Sequence, residues 1–429
     1  MGIFRRKALQ ASAFQSAGSG SDLSGSIPSS GLTFVDNFKG ALEAIEEVSQ
    51  VLDETFKEIE FEGSSSERLE EYQARLNGEA DKYANSSLDF CNTKKRWTCD
   101  SNDGVLISIA WKCAAGTYDA DYTARLQNYE FRLQNSFPPS AGGTTKATTI
   151  TLVESLDTSS GSSSFPVVVV AIRGTASTVD AMVNLNIAPR TAESFLFPGL
   201  EVHAGFLGAA QALDPPVSKC ISEVCRASGA RHVLFTGHSA GAAVSSFLFL
   251  HYRRKGFHDV LPKSSCILFG CPPAFRPCPT ALEHDLKPNA GELWLNIINE
   301  YDVVSRADRP YVRSLVDLFR STYGQTPLES TSYDSYSTDT SSTGTAVGQN
   351  WAVPLPEYRH YGDLIVLRMS RSDPSPAENR MLFDDELRLE AWKVTSEEFS
   401  KLLFTRIAVH RRRYYERAAA MVAKGALST

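Results

Sequence analysis

The 429-residue chain has no run of about eighteen apolar residues, so no transmembrane helix is predicted. Positive charge is in deficit: at a net charge of −7 the chain has no domain-wide basic footprint, and no nucleic-acid partner is expected. The eight cysteines form no C-x-x-C pair, so zinc-site spacing is missing. Cys266 and Cys271 flank an apolar strand, which suits buried, reduced thiols. Met1 to Gln10 is basic but has no apolar stretch behind it, so a secretory signal is not expected. A myristoylation signal wants Ser or Thr where Arg6 stands. These absences point to an intracellular, cytoplasmic protein.

What is present centres on one stretch. Val233 to Phe235 reads as an apolar strand, Gly237-His-Ser-Ala-Gly241 as a tight turn, and the run to Leu250 as a helix of small and apolar residues. That is the context of a G-x-S-x-G nucleophile elbow, where strand and helix pass so closely that the residues two before and two after the serine must be small. The turn puts Ser239 at a helix N-terminus, where backbone N–H groups favour developing negative charge.

Around it the chain divides by composition. Residues 1–32 are Ser/Gly-rich and read as a disordered tail and linker. Residues 33–99 form a helical N-terminal extension, with an amphipathic helix from Phe34 to Ile59 and a more polar one from Glu67 to Tyr83. Residues 100–375 form an α/β domain. Helices are expected at Val105–Ala115 and Tyr122–Gln134, then a hairpin of Thr148–Leu156 with Pro166–Ile172. The second strand, without alternation, should be buried on both faces. Helices at Gly205–Leu213 and Val217–Ala227 are expected to break at Pro215-Pro216, and further strands start at Cys266, Leu293 and Gly362. Residues 328–348 are a polar insert without core residues. Residues 376–429 read as a C-terminal helical extension, with Thr395-Ser-Glu-Glu398 as the capping box of a long helix. Strands alternating with helices imply a doubly wound, mostly parallel sheet.

A serine needs a base to take its proton and a third group to orient that base. In an α/β-hydrolase the order is Ser, acid, His. His251 and His258 lie too near the elbow helix, His284 precedes the best acid, and His410 falls in the basic C-terminal helix. His360, in a polar turn before a strand, is the expected base. Asp302 should emerge at the C-terminal end of the strand from Leu295, where catalytic groups of open α/β sheets collect; Asp308 is the alternative. The N–H of Ala240 and the loop residue Thr175, beside Gly174, are the expected oxyanion donors.

The segments Ile172-Arg-Gly-Thr-Ala-Ser-Thr-Val-Asp180, Val202-His-Ala-Gly-Phe206, Gly237-His-Ser-Ala-Gly241, Phe269-Gly-Cys-Pro272, Asn299-Glu-Tyr-Asp302 and His360-Tyr-Gly362 stand in the order seen in the fungal-type (class 3) lipase family. The chain resembles that family from about residue 100 to 370. The resemblance implies an α/β-hydrolase fold, a Ser239/Asp302/His360 triad, oxyanion binding at Thr175, and hydrolysis of acylglycerol or related lipid esters through an acyl-enzyme. No metal or organic cofactor is needed. Lysophospholipids, thioesters and small esters are alternative substrates, and a non-catalytic lipid-binding protein is the alternative class. Residues 178–187 are the candidate lid, and the apolar and basic residues from Phe399 to Arg417 are candidates for contact with a membrane or lipid-droplet surface.

Overall fold

The apolar runs in the middle of the chain pair as a nine-stranded sheet. The computed structural model describes residues 65–119, 124–139, 146–156, 165–175, 188–254, 263–278, 291–325, 349–371 and 387–425. The tail, the first expected helix, the candidate lid and the polar insert lie outside these residues. The strands are β1 (Lys95–Arg96), β2 (Tyr129–Phe137), β3 (Thr148–Ser155), β4 (Val167–Ile172), β7 (His232–His238), β8 (Lys263–Phe269), β9 (Trp294–Asn299), β10 (Asp363–Arg371) and β11 (Leu387–Val394). β5 (Pro189–Thr191) and β6 (Glu201–His203) form a separate ribbon. The sheet order is β1-β11-β10-β9-β8-β7-β4-β3-β2; the five central strands run parallel, and the pairs at both edges are antiparallel.

The helices are α1 (Ser65–Ala80), α2 (Ser101–Gly116), α3 (Ala204–Ser228), α4 (Ala240–Arg254), α5 (Arg309–Ser321), the single turn α6 (Ser396–Phe399) and α7 (Arg412–Ala423). Successive side chains of β4 divide between two cores, as strand periodicity requires. Val168, Val170 and Ile172 meet α3 and α4, while Val167, Val169 and Ala171 share the core that α2 and α7 cover. Helices on both faces of a mostly parallel sheet make this an α/β-hydrolase type of architecture, as the sequence implied. All eight cysteines are free, and Cys266 and Cys271 are buried.

Three expectations fail locally. The expected helix at Tyr122–Gln134 is replaced by β2, an edge strand, because Tyr129, Phe131 and Leu133 alternate with Glu130 and Arg132. The helix expected to break at Pro215-Pro216 continues through both as α3. Packing compensates for the missing N–H groups: Phe206, Leu207 and Leu213 before the prolines and Val217 and Ile221 after them share one buried core. The third failure is the C-terminal extension. Thr395 does accept from the Glu398 N–H, but the Glu398 carboxylate bonds Thr93 rather than returning to the cap, and the helix ends after one turn. Residues 376–429 instead supply β11 to the sheet and α7 to the core. Phe399, Leu402, Leu403 and Phe404 are 0–2% exposed, so they are not available to a lipid surface.

Candidate active site

β7 hands the chain to α4 through Ser239, whose φ of 59° is a left-handed conformation that non-glycine residues rarely adopt. The flanking glycines are needed for contact as much as for turning. A Cβ on Gly237 would lie 2.5 Å from the Gly241 carbonyl carbon, and one on Gly241 would overlap the Ile172 carbonyl oxygen. The elbow is therefore wedged between its own helix and the end of β4. The Ser239 N–H donates to the Phe269 carbonyl (2.9 Å), which fixes the turn to β8.

Asp302 follows β9 and is fully buried. Tyr301 before it also has a left-handed φ, 73°, and its carbonyl accepts from the Arg406 N–H (2.9 Å). The carboxylate accepts three bonds: from His410 Nδ1 (2.8 Å) and the Tyr415 hydroxyl (2.6 Å) at Oδ2, and from the Val304 N–H (2.9 Å) at Oδ1. Burial alone would raise this carboxyl; the His410 charge and these three bonds hold it below the usual carboxylate range. Because a carboxylate can only accept, His410 Nδ1 carries a hydrogen, which leaves Nε2 as the ring atom able to exchange a proton.

This corrects the expected pairing. Among the described residues no hydrogen bond joins Asp302 to His360. His360 Nε2 donates instead to the Ser305 carbonyl (2.8 Å), and its ring packs edge-on to Phe399. Burial, then the charge of Arg306, pushes its pKa down to about 4. The topology gives the reason. Ser239 and Asp302 follow their strands and leave at the C-terminal edge of the parallel sheet, whereas His360 precedes β10 and its ring is held by the Ser305 carbonyl, beyond Asp302 in the chain. The chain returns through antiparallel β11 and climbs past Asp302, bridging it at Arg406, to deliver His410 beside the elbow. The His410 ring stacks on His238, with centroids 4.7 Å apart. Gly270 makes room for it, since a Cβ there would come within 2.9 Å of His410 Cε1.

The alternative acid, Asp308, caps α5 by accepting from the Tyr311 N–H (3.1 Å) and also takes the Glu357 and Tyr358 N–H groups. Burial raises its carboxyl, and no histidine bonds it among the described residues. Gly174 touches the elbow: a Cβ on it would lie 3.2 Å from Ser239 Cβ. Thr175 follows it and is exposed; Ala240 is buried at the start of α4. A cleft of about 190 Å³ opens on Ser239 and Ala240 between Phe206, Pro272, Val304 and Tyr358.

The sequence places His410 in a basic C-terminal helix and away from the acid; the structure brings it and Tyr415 to Asp302. The available signal was the alternation of Leu387, Leu389 and Ala391 with Arg388 and Glu390, which marks a strand and not a helix.

Residues 169–311, a third of the chain, match the family model described as lipase (class 3). No curated protein matches the chain in sequence. Among solved structures, the chain is similar to a Rhizomucor miehei lipase complexed with its propeptide (14% identity, 74% of this chain and 80% of that one, TM-score 0.44). It is also similar to a lipase from Rhizopus microsporus var. chinensis (14% identity, 75% and 89%, TM-score 0.45).

Proposed function

We infer that this chain, of the class 3 lipase family over residues 169–311 and an ester hydrolase on that ground, works through Ser239, His410 and Asp302 on lipid esters. The observation that carries the reading is the part-buried Asp302–His410 hydrogen bond, with the His410 ring stacked on His238 next to a serine held at a positive φ. His410 Nε2 takes the Ser239 proton as Oγ attacks the ester carbonyl, while Asp302 holds the ring and stabilises its charged form. The Ala240 N–H and the Thr175 loop receive the oxyanion, with the N-terminus of α4 adding its dipole. Collapse expels the alcohol, which takes its proton from His410. Water, deprotonated by the same ring, then releases the acid from Ser239.

An apolar acyl group suits the cleft walls of Phe206, Ala240, Pro272, Pro273 and Val304. The test is hydrolysis of p-nitrophenyl esters of rising acyl length by wild type and Ser239→Ala. Activity that rises with chain length and drops about 10⁴-fold or more in the variant is the expected result. A preference for acetyl esters would support a small-ester esterase. Equal rates from the two folded proteins would overturn the reading.

A further inference from the structure

Behind the elbow lies a chain of hydrogen bonds that joins three parts of the site. The Gly174 N–H donates to the Tyr118 hydroxyl (3.0 Å), that hydroxyl meets His238 Nδ1 (3.2 Å), and His238 Nε2 meets the backbone carbonyl of His410 (3.0 Å). The hydrogens can be placed by chemistry alone. A carbonyl only accepts, so His238 Nε2 carries the hydrogen and Nδ1 of the neutral ring is an acceptor. Tyr118 must then donate to Nδ1, which leaves its oxygen to accept from Gly174. One arrangement satisfies every partner.

Tyr118 stands just beyond the end of α2, far in sequence from all three segments it connects. Two further contacts fix it. A Cβ on Gly174 would overlap the Tyr118 hydroxyl, so the glycine is what admits the bond. On the other side, the Arg412 guanidinium lies 4.5 Å from the Tyr118 ring centroid, close enough for a cation–π contact. Arg412 opens α7, directly after the segment that delivers His410.

We propose that Tyr118 is a positioning residue for ester hydrolysis: its hydroxyl holds the Gly174–Thr175 loop against the nucleophile turn and, through His238, against the backbone of His410. The inference rests on the Ser239/His410 reading. Gly174, with its N–H engaged by Tyr118, fixes the loop rather than binding the oxyanion. Donors held in place before reaction are effective because nothing must reorganise as charge develops. Removing the hydroxyl releases the loop and leaves His238 Nδ1 without its donor. The loss falls on the transition state, since ester binding in the apolar cleft does not use this bond. His238 stays neutral for the purpose: burial, reinforced by the charges of His410 and Arg412, lowers it to about 3.

The test is Tyr118→Phe, compared with wild type in kcat, in KM and in inhibition by an alkylboronic acid, which forms a tetrahedral adduct on serine. The expected result is a fall in kcat of about tenfold with KM unchanged, and a boronate inhibition constant raised by a similar factor. Unchanged kcat and boronate affinity, or a change confined to KM, overturns the proposal. The Ser239→Ala control separates the two ideas: if wild type is no more active than that variant, the Ser239 reading has failed. The bond network is checked without any variant in the histidine ¹⁵N spectrum of wild type. His238 hydrogenated at Nε2 only is expected, and an Nδ1-hydrogenated ring would overturn the arrangement whether or not Tyr118→Phe folds.

Discussion

His360 and His410 are both largely enclosed, yet their surroundings differ in the one respect that matters for a base. His410 bonds a carboxylate that also holds Tyr415, whereas His360 bonds a peptide carbonyl and feels the Arg306 cation more strongly than the Asp302 anion, to which it is not bonded. Arg306 is itself buried, its guanidinium bonding the Leu402 and Ser400 carbonyls and lying 4.6 Å from the Tyr311 ring centroid. An imidazole in that setting is kept neutral, because gaining a proton would place a second cation in a desolvated space. Enclosure alone therefore does not make a base; an anion must be present to stabilise the charged ring.

The sharpest way to break this contrast is to remove each ring in turn. His410→Ala should lower kcat by about 10⁴-fold, because the serine loses its proton acceptor. His360→Ala should keep kcat within about tenfold of wild type while lowering the melting temperature, since it leaves a cavity and frees the Ser305 carbonyl. Steady-state rates and thermal melts on the two purified variants decide the matter. A reversed ranking of activities would return the role of base to His360.

The same contrast shows where the sequence is legible. Ser239 could be read because everything that defines the elbow is local: an apolar strand, two glycines and a small-residue helix within twenty positions. Asp302 could be read because it leaves a buried parallel strand at the edge where Ser239 leaves its own. The central strands were visible as apolar runs. His410 was not, because its position depends on β11 turning the chain back and on Phe399, Leu402 and Phe404 seating the climb that follows. Those contacts are long-range, and Thr395-Ser-Glu-Glu398 offers a local helix signal that they override. Proline misled in the same way at α3, where packing against α4 outweighs a local breaker.

Acid should sharpen the contrast next. The His360 pKa falls from 6.5 to about 4 and that of His238 to about 3, in both cases chiefly through burial. Between pH 6.5 and 4 the unfolded chain therefore binds protons that the folded chain does not, so stability rises with pH across that window. It is fully present above pH 6.5 and lost as pH falls, towards 4 for His360 and towards 3 for His238. The expected loss is about 1.4 kcal/mol per pH unit for each such histidine. Urea midpoints at pH 7, 5.5 and 4.5 would show it, and His360→Gln should flatten the slope. A slope unchanged by that variant would mean that His360 is not held neutral.

The smallest effect expected concerns Tyr415, the second side chain that makes the Asp302 setting unlike that of His360. Its hydroxyl donates to Oδ2 and accepts from the Asn299 N–H (3.2 Å), so it ties the acid to the end of β9. Tyr415→Phe takes one of three donors from a buried carboxylate and leaves a buried N–H without its acceptor. Loss of such a bond costs about 1–3 kcal/mol of stability, and with His410 still bonded to Asp302 the fall in kcat should be only about tenfold. The Asp302 carboxyl should rise, since one of the groups that keeps it low is gone. Carboxyl ¹³C chemical shifts followed through a pH titration would report that rise directly. If the variant lowered kcat as far as His410→Ala does, Tyr415 would be indispensable to the pair. If it changed neither the titration nor the rate, the hydrogen bond from His410 would be sufficient to set the acid by itself.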